Sequence, residues 1–212
     1  MVSLEVRDLG CIRDDRILFS KVNIDLYPGQ LLLVEGDNGS GKTSLLRILC
    51  GIRLPEHGHV IWQRTNNDKK TAVSVHGQES YAGDMAFLGH LDGNKLDLTV
   101  TENLEFSCSL ALGNSSTIKE VLERVGLSYF DDLQVSNLSA GQRRRLALAR
   151  LLLSGARLWI LDEPFTALDK KGIAMVEREI NAQLDQGGLV IMTSHHSVSF
   201  DSDKVTKLSL SQ

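Results

Sequence analysis

No apolar run in this sequence approaches the roughly 18 to 20 residues that a bilayer-crossing helix needs, and the stretch from Met1 to Asp8 lacks the apolar core of a signal peptide. These absences predict a soluble, cytoplasmic chain that reaches a membrane only through a partner. An excess of one charge is missing as well. With 27 acidic and 23 basic residues the formal net charge is −4, so no basic field favours nucleic acid or acidic lipid. The three cysteines, Cys11, Cys50 and Cys108, are odd in number, far apart and without CxxC spacing, which excludes a paired metal or redox motif and points to buried thiols in a reducing compartment. Internal repeats and low-complexity tracts are absent. What remains is an ordinary globular balance, 42% hydrophobic and 24% charged over 212 residues. That suffices for one well-buried α/β domain with a small helical lobe and is too short for a second full domain.

Short β-like segments at Leu4 to Val6, Val22 to Leu26 and Leu31 to Val34 are broken by the charged stretch Arg13 to Arg16 and by Pro28-Gly29, which predicts a first sheet. The continuously apolar run Leu31 to Val34 has the texture of a parallel strand covered on both faces, and the same texture returns at Met85 to Leu88, Leu158 to Leu161 and Leu189 to Met192. Between Gln63 and Asp84 the polar chain reads as a loop with one strand around Ala72 to Val75. From Thr99 to Val125 the pattern becomes helical, with Ile118, Val121, Leu122 and Val125 on one apolar face.

Three of the four apolar runs end in chemically loaded residues, as α/β proteins do at the carboxyl ends of their strands. After Val34 comes Gly36-Asp37-Asn38-Gly39-Ser40-Gly41-Lys42-Thr43, which fits GxxxxGK[ST] and precedes a helical run with Leu45, Leu46, Ile48 and Leu49. Glycines let backbone N–H groups close around phosphates, the helix N-terminus adds positive potential, Lys42 neutralises the β/γ oxygens and Thr43 offers a hydroxyl to Mg²⁺. Ser44 extends the same loop. Four fixed positions would match by accident in about one chain of this length per hundred, and the strand–loop–helix context makes coincidence rarer still.

Leu158 to Leu161 delivers two consecutive carboxylates where a phosphate-bound metal would sit. Asp162 is suited to hold the metal through water, and Glu163 to polarise the attacking water as general base. Alone, an apolar run ending in Asp-Glu is weak evidence; beside a phosphate loop it is strong. Leu138-Ser139-Ala140-Gly141-Gln142 opens another helical run, with Ser139 and Gln142 at capping-box spacing, and a helix N-terminus bearing Ser139 and the Gly141 amide is a good donor set for a terminal phosphate. Arg143, Arg144 and Arg145 read as a solvated helix face rather than an anion site, with the alternative that one of the three reaches nucleotide or a partner.

The order of these elements, continued by Ala167-Leu168-Asp169 and the late histidine after Leu189 to Met192, resembles the ATP-binding cassette domain over essentially the whole chain. The Leu-Ser-Ala-Gly-Gln element separates that class from other phosphate-loop ATPases. The resemblance implies a nucleotide-binding domain over residues 1–212, with an N-terminal antiparallel β subdomain and an inserted helical lobe at about residues 98–153. It also implies ATP and Mg²⁺ as ligands. Ser139, Gly141 and Gln142 of one copy would cover the γ-phosphate held by the other in a head-to-tail homodimer, with Asp169 at the seam. The γ-phosphate-sensing histidine would be His195, and His196 a bystander.

Within the class the sequence looks most like the ATPase subunit of the bacterial haem exporter of cytochrome c maturation, the CcmA family. The match rests on Leu4 to Leu9, Arg16 with Leu18-Phe19, Phe87-Leu88-Gly89-His90 before Leu98-Thr99, Glu102-Asn103-Leu104, and Trp159 to Ala167. It implies a peripheral subunit on the cytoplasmic side of the bacterial inner membrane, docked on transmembrane permease subunits and linked indirectly to a periplasmic haem chaperone. His90 stands where most of the wider class has a glutamine near the metal, and Leu91-Asp92-Gly93 departs from the more usual Gln-Pro-Gly. No aromatic residue lies near Cys11 to Asp15 to stack adenine, so base recognition should be loose. Three rival readings are an exporter ATPase for lipid, polysaccharide or drug, a soluble cassette ATPase acting on ribosomes or chromosomes, and a regulatory nucleotide switch without turnover. The second usually has tandem cassettes or a long coiled-coil insertion, which this chain lacks, and intact Glu163 and His195 argue against the third.

Overall fold

The structure is a computed structural model that describes residues 1–66, 69–76, 79–111, 117–196 and 200–210. Two sheets form it. Strands β1 (Val2–Arg13), β2 (Arg16–Leu26), β4 (His57–Asn66) and β5 (Lys69–Ser74) make an antiparallel sheet in the order β2-β1-β4-β5. Strands β3 (Leu31–Glu35), β6 (Met85–Leu88), β7 (Leu158–Asp162), β8 (Leu189–Thr193) and β9 (Val205–Ser209) make a parallel sheet in the order β6-β7-β8-β3-β9. The continuous apolar runs are therefore parallel strands, and β7 and β8 are buried at every position because packed layers cover both their faces.

Helix α1 (Lys42–Leu49) lies in the core shared by the two sheets. Leu45, Leu46, Ile48 and Leu49 join Val6, Leu26 and Trp62 of the antiparallel sheet and Leu32, Ile160 and Ile191 of the parallel sheet in a single apolar cluster. The other face of the parallel sheet carries a second cluster with α3 (Val100–Ala111), α4 (Ile118–Val125), α5 (Ala140–Leu153) and α6 (Lys170–Asp185). The face expected of α4 is the face it buries: Ile118, Val121, Leu122 and Val125 are all inside. Part of the helical stretch read from Thr99 to Val125, residues 112–116, lies outside the described residues.

The charged break from Arg13 to Arg16 is the tightest hairpin connection a sheet can make. Asp14 and Asp15 both take positive φ (50° and 58°) while Arg13 pairs with Arg16, the mirror-image turn whose twist matches the strands. The polar segment after Gln63 differs from the sequence expectation. Instead of a loop with one short strand, β4 continues to Asn66 and pairs with β5, and a short helix α2 (Glu79–Ala82) follows. Its polarity reflects an outer strand pair, while Trp62 and Tyr81 supply the apolar anchor: both are fully buried in edge-to-face contact, and Trp62 Nε1 donates to Asp84 at 2.8 Å. Among the described residues no helix is long and apolar enough to cross a membrane.

Candidate active site

The loop from Gly36 to Gly41 leaves β3 and turns directly into α1, whose first N–H groups have no side-chain cap and so remain free for an anion. Gly41 at the cap has φ 100°, and a Cβ there would stand 3.0 Å from Leu18 and 3.1 Å from Phe19, so the close turn admits only glycine. Lys42 Nζ lies across the loop, donating to the carbonyls of Gly36 (2.6 Å) and Asp37 (3.1 Å). The Ser40 hydroxyl is buried without a hydrogen-bond partner.

Strands β7 and β8 end beside this loop because they are neighbours in the parallel sheet, with Asp162 paired to Thr193 in register. Asp162 is almost wholly buried and is held on both oxygens: Thr43 Oγ1 donates to Oδ2 at 3.0 Å and Thr193 Oγ1 to Oδ1 at 2.7 Å. The Thr193 hydroxyl in turn accepts the Glu163 amide at 2.9 Å. Glu163 sits at φ 51°, a left-handed conformation that costs a non-glycine residue on the order of 1 to 3 kcal/mol and is retained where surrounding structure enforces it. Its Oε2 accepts from the His195 amide at 3.2 Å. Its Oε1 is buried without a donor, and His195 Nε2 stands 3.5 Å away. Glu163 borders the cleft with one oxygen hydrogen-bonded and the other unpaired, and a carboxylate placed there is suited to accept a proton from a water in the cleft.

Lys42, Thr43, Asp162, Glu163 and His195 line one cleft of about 640 Å³, which Gly36, Asp37 and Ser40 of the loop and Thr193 do not border. The sequence-predicted Asn38, Gly39, Gly41, Lys42, Thr43, Ser44, His90, Asp162, Glu163 and His195 all border it. His196, read as a bystander, borders it too, its ring edge-on to Phe165. Arg13 and Leu18 form part of the wall where sequence reading found no aromatic platform. Among the described residues no group of three or more His, Cys, Asp and Glu side chains gathers to hold a metal. A cation here would depend on Thr43, Asp162 and phosphate oxygens together, the habit of Mg²⁺ rather than of a protein-caged metal.

The second predicted set does not border the cleft. Ser139 caps α5 in a full capping box, accepting from the Gln142 amide (3.2 Å) while its own amide donates to Gln142 Oε1 (2.8 Å). Gly141 packs so that a Cβ would meet the Ala167 carbonyl at 2.9 Å. Asp169 caps α6, and the Gly172 amide together with Arg145 holds its carboxyl below the usual range.

Two residues escaped sequence reading. Thr193 carried a weak signal, a hydroxyl ending an apolar strand. Arg144 carried none, and the expectation for it is corrected: it is no part of a solvated face but is buried, donating to four carbonyls on two segments, because the chain around Gly89 and Asp162 to Pro164 folds over it. The cysteines follow expectation. All three are buried and free, and burial, with Asp162 nearby, pushes the Cys50 thiol far above its ordinary range.

The ABC transporter family model matches residues 19–166. Over 197 residues the chain is 47% identical to the cytochrome c biogenesis ATP-binding export protein CcmA of Methylococcus capsulatus, covering 92% of each. Over 210 residues it is 42% identical to the protein of the same name in Aliivibrio fischeri, covering 99% of this chain and all of that one. An ABC transporter ATP-binding protein from Pyrococcus furiosus superposes with a TM-score of 0.79 at 27% identity, over 97% of both chains. The ADP conformation of another ATP-binding cassette superposes at 0.73 and 19% identity, over 93% of this chain and 83% of that one, a likeness of fold alone.

Proposed function

The chain belongs to the ABC transporter family of ATP-binding proteins, and from that premise we propose that it is the ATP-hydrolysing subunit of an export complex for haem in cytochrome c biogenesis. Its task there is to drive haem out of the complex or onto a periplasmic haem chaperone. It binds ATP and works as a dimer with membrane subunits. The finer reading is of two identical copies docked on transmembrane permease subunits at the cytoplasmic face of the inner membrane. The whole chain acts as one nucleotide-binding domain, with residues 98–153 as its helical lobe.

The observation that carries the chemistry is the Glu163 carboxylate, which borders the cleft that holds the phosphate loop and has one oxygen left without a donor. The amides from Gly36 to Ser44 grip the phosphates, and Lys42 offsets charge on the β/γ oxygens. Thr43 and Asp162 would hold Mg²⁺, which supplies further charge neutralisation when bound. Glu163 accepts a proton as the water oxygen bonds to the γ-phosphorus and the bond to the leaving ADP oxygen breaks. His195 orients that water and the γ-phosphate. His90 faces the same cleft, but imidazole suits softer metals than Mg²⁺, so its role reads better as a hydrogen-bonding one. Ser139, Gly141 and Gln142 reach nucleotide only across the dimer, closing over the partner's site with Asp169 at the seam.

Affinity purification of the tagged chain from bacterial membranes tests the cargo. Polytopic subunits should co-purify with a chromophore absorbing in the Soret region. Co-purification with subunits of a lipid or polysaccharide exporter and no haem would overturn the assignment.

A further inference from the structure

Three consecutive arginines open helix α5, and the middle one differs from its neighbours. Arg144 is 3% exposed, and every arm of its guanidinium is engaged. Nη2 donates to the carbonyls of Asp162 (3.0 Å) and Glu163 (2.7 Å), and Nε to that of Pro164 (3.3 Å). Nη1 donates to the carbonyl of Gly89 (2.8 Å) and to Asp92 Oδ1 (2.9 Å). The turn holding Gly89 and Asp92 is bound to the same helix by three further hydrogen bonds. Arg150 Nη1 donates to the Asp92 carbonyl and to Asn94 Oδ1, both at 2.9 Å, and Asn94 Nδ2 donates to the Arg143 carbonyl at 2.8 Å.

A buried cation is costly unless paired, and an apolar side chain of similar volume often serves stability as well or better. What the guanidinium adds is geometry, five N–H donors in a rigid plane. Three of its five acceptors are the carbonyls around Glu163, the residue at φ 51°. The Glu163 amide is already held by Thr193. With its carbonyl also fixed, the peptide cannot relax out of the left-handed conformation, and the direction of the carboxylate is set.

We propose that Arg144, anchored by Asp92, is a positioning residue for ATP hydrolysis. It clamps the main chain at 162–164 so that Glu163 aims into the cleft, and it ties that peptide to the turn carrying His90 and to the helix bearing Ser139 and Gly141. Displacement of α5 therefore pulls on the Glu163 backbone and on the His90 turn together. The inference rests on the reading of Glu163 as general base.

The test is steady-state ATP hydrolysis by the purified membrane complex. Arg144→Lys keeps the charge and loses the fork, and should lower kcat at least tenfold with KM for ATP within threefold of the parent. Asp92→Ala should lower kcat at least threefold, Asp92→Glu should restore it to within twofold, and Asp92→Ala added to Arg144→Lys should cost less than a further twofold. Retention of kcat within twofold in both Arg144→Lys and Asp92→Ala would overturn the clamp, as would kcat and KM worsening together in step with a falling thermal midpoint. Should Arg144→Lys not fold, the Asp92→Ala and Asp92→Glu pair decides by the same criteria. Glu163→Gln separates the two readings. If it is slow while Arg144→Lys is not, only the clamp fails; if Glu163→Gln is as fast as the parent, both fall.

Discussion

At Glu163 three neighbours act on one residue from different directions: Thr193 on its amide, Arg144 on its carbonyl and His195 beside its carboxylate. On the proposal that Glu163 is the general base, which typically contributes on the order of 10² to 10⁴ in rate, Glu163→Gln should lower steady-state hydrolysis by that factor while the protein still binds ATP. A variant within threefold of the parent would refute the assignment. Asp162 and Glu163 are readable from sequence because they are adjacent and follow an apolar strand. The arginine that steadies them is unreadable, since its acceptors come from residues 89, 92 and 162–164 and only folding assembles them.

Elements differ in how much of themselves local sequence specifies. Helix α5 begins where Ser139 and Gln142 close a reciprocal pair of hydrogen bonds, a pattern written in four consecutive residues. Helix α4 is legible from its spacing alone, and its apolar face is what fastens it to α5 and α6 in the core below the parallel sheet. Leu122→Ala should therefore cost about 2 to 5 kcal/mol in global stability, read as a lowered urea midpoint at unchanged slope. A loss under about 1 kcal/mol would mean that α4 is not integral to the core. The outer strand pair β4–β5 was underread for the opposite reason. One of its faces meets solvent and its apolar signal comes down to isolated residues such as Val60 and Trp62, whose burial depends on α1 and α2 across the layer.

For the whole molecule the decisive fact is that the helix start at Ser139 does not border the cleft of its own chain. If it serves the partner's nucleotide, Ser139→Ala should lower hydrolysis by the complex at least tenfold and leave ATP affinity of the isolated chain within threefold. The helix itself should survive, since losing such a cap costs about 1 kcal/mol. A tenfold loss of affinity in the isolated chain would mean instead that Ser139 acts within its own copy.

Sequence alone determined the class, the phosphate loop, the paired carboxylates and the helix start, because each is a contiguous pattern whose chemistry depends on neighbours a few residues away. Tertiary structure alone decided that Thr43, Asp162, Thr193 and Glu163 form one chain of hydrogen bonds, that Arg13 and Leu18 wall the cleft, and that Arg144 is a buried clamp rather than a surface charge. The physical reason is common to all three. Burial and hydrogen-bond partnership are set by segments distant along the chain, which the parallel order of β3, β7 and β8 brings to one edge.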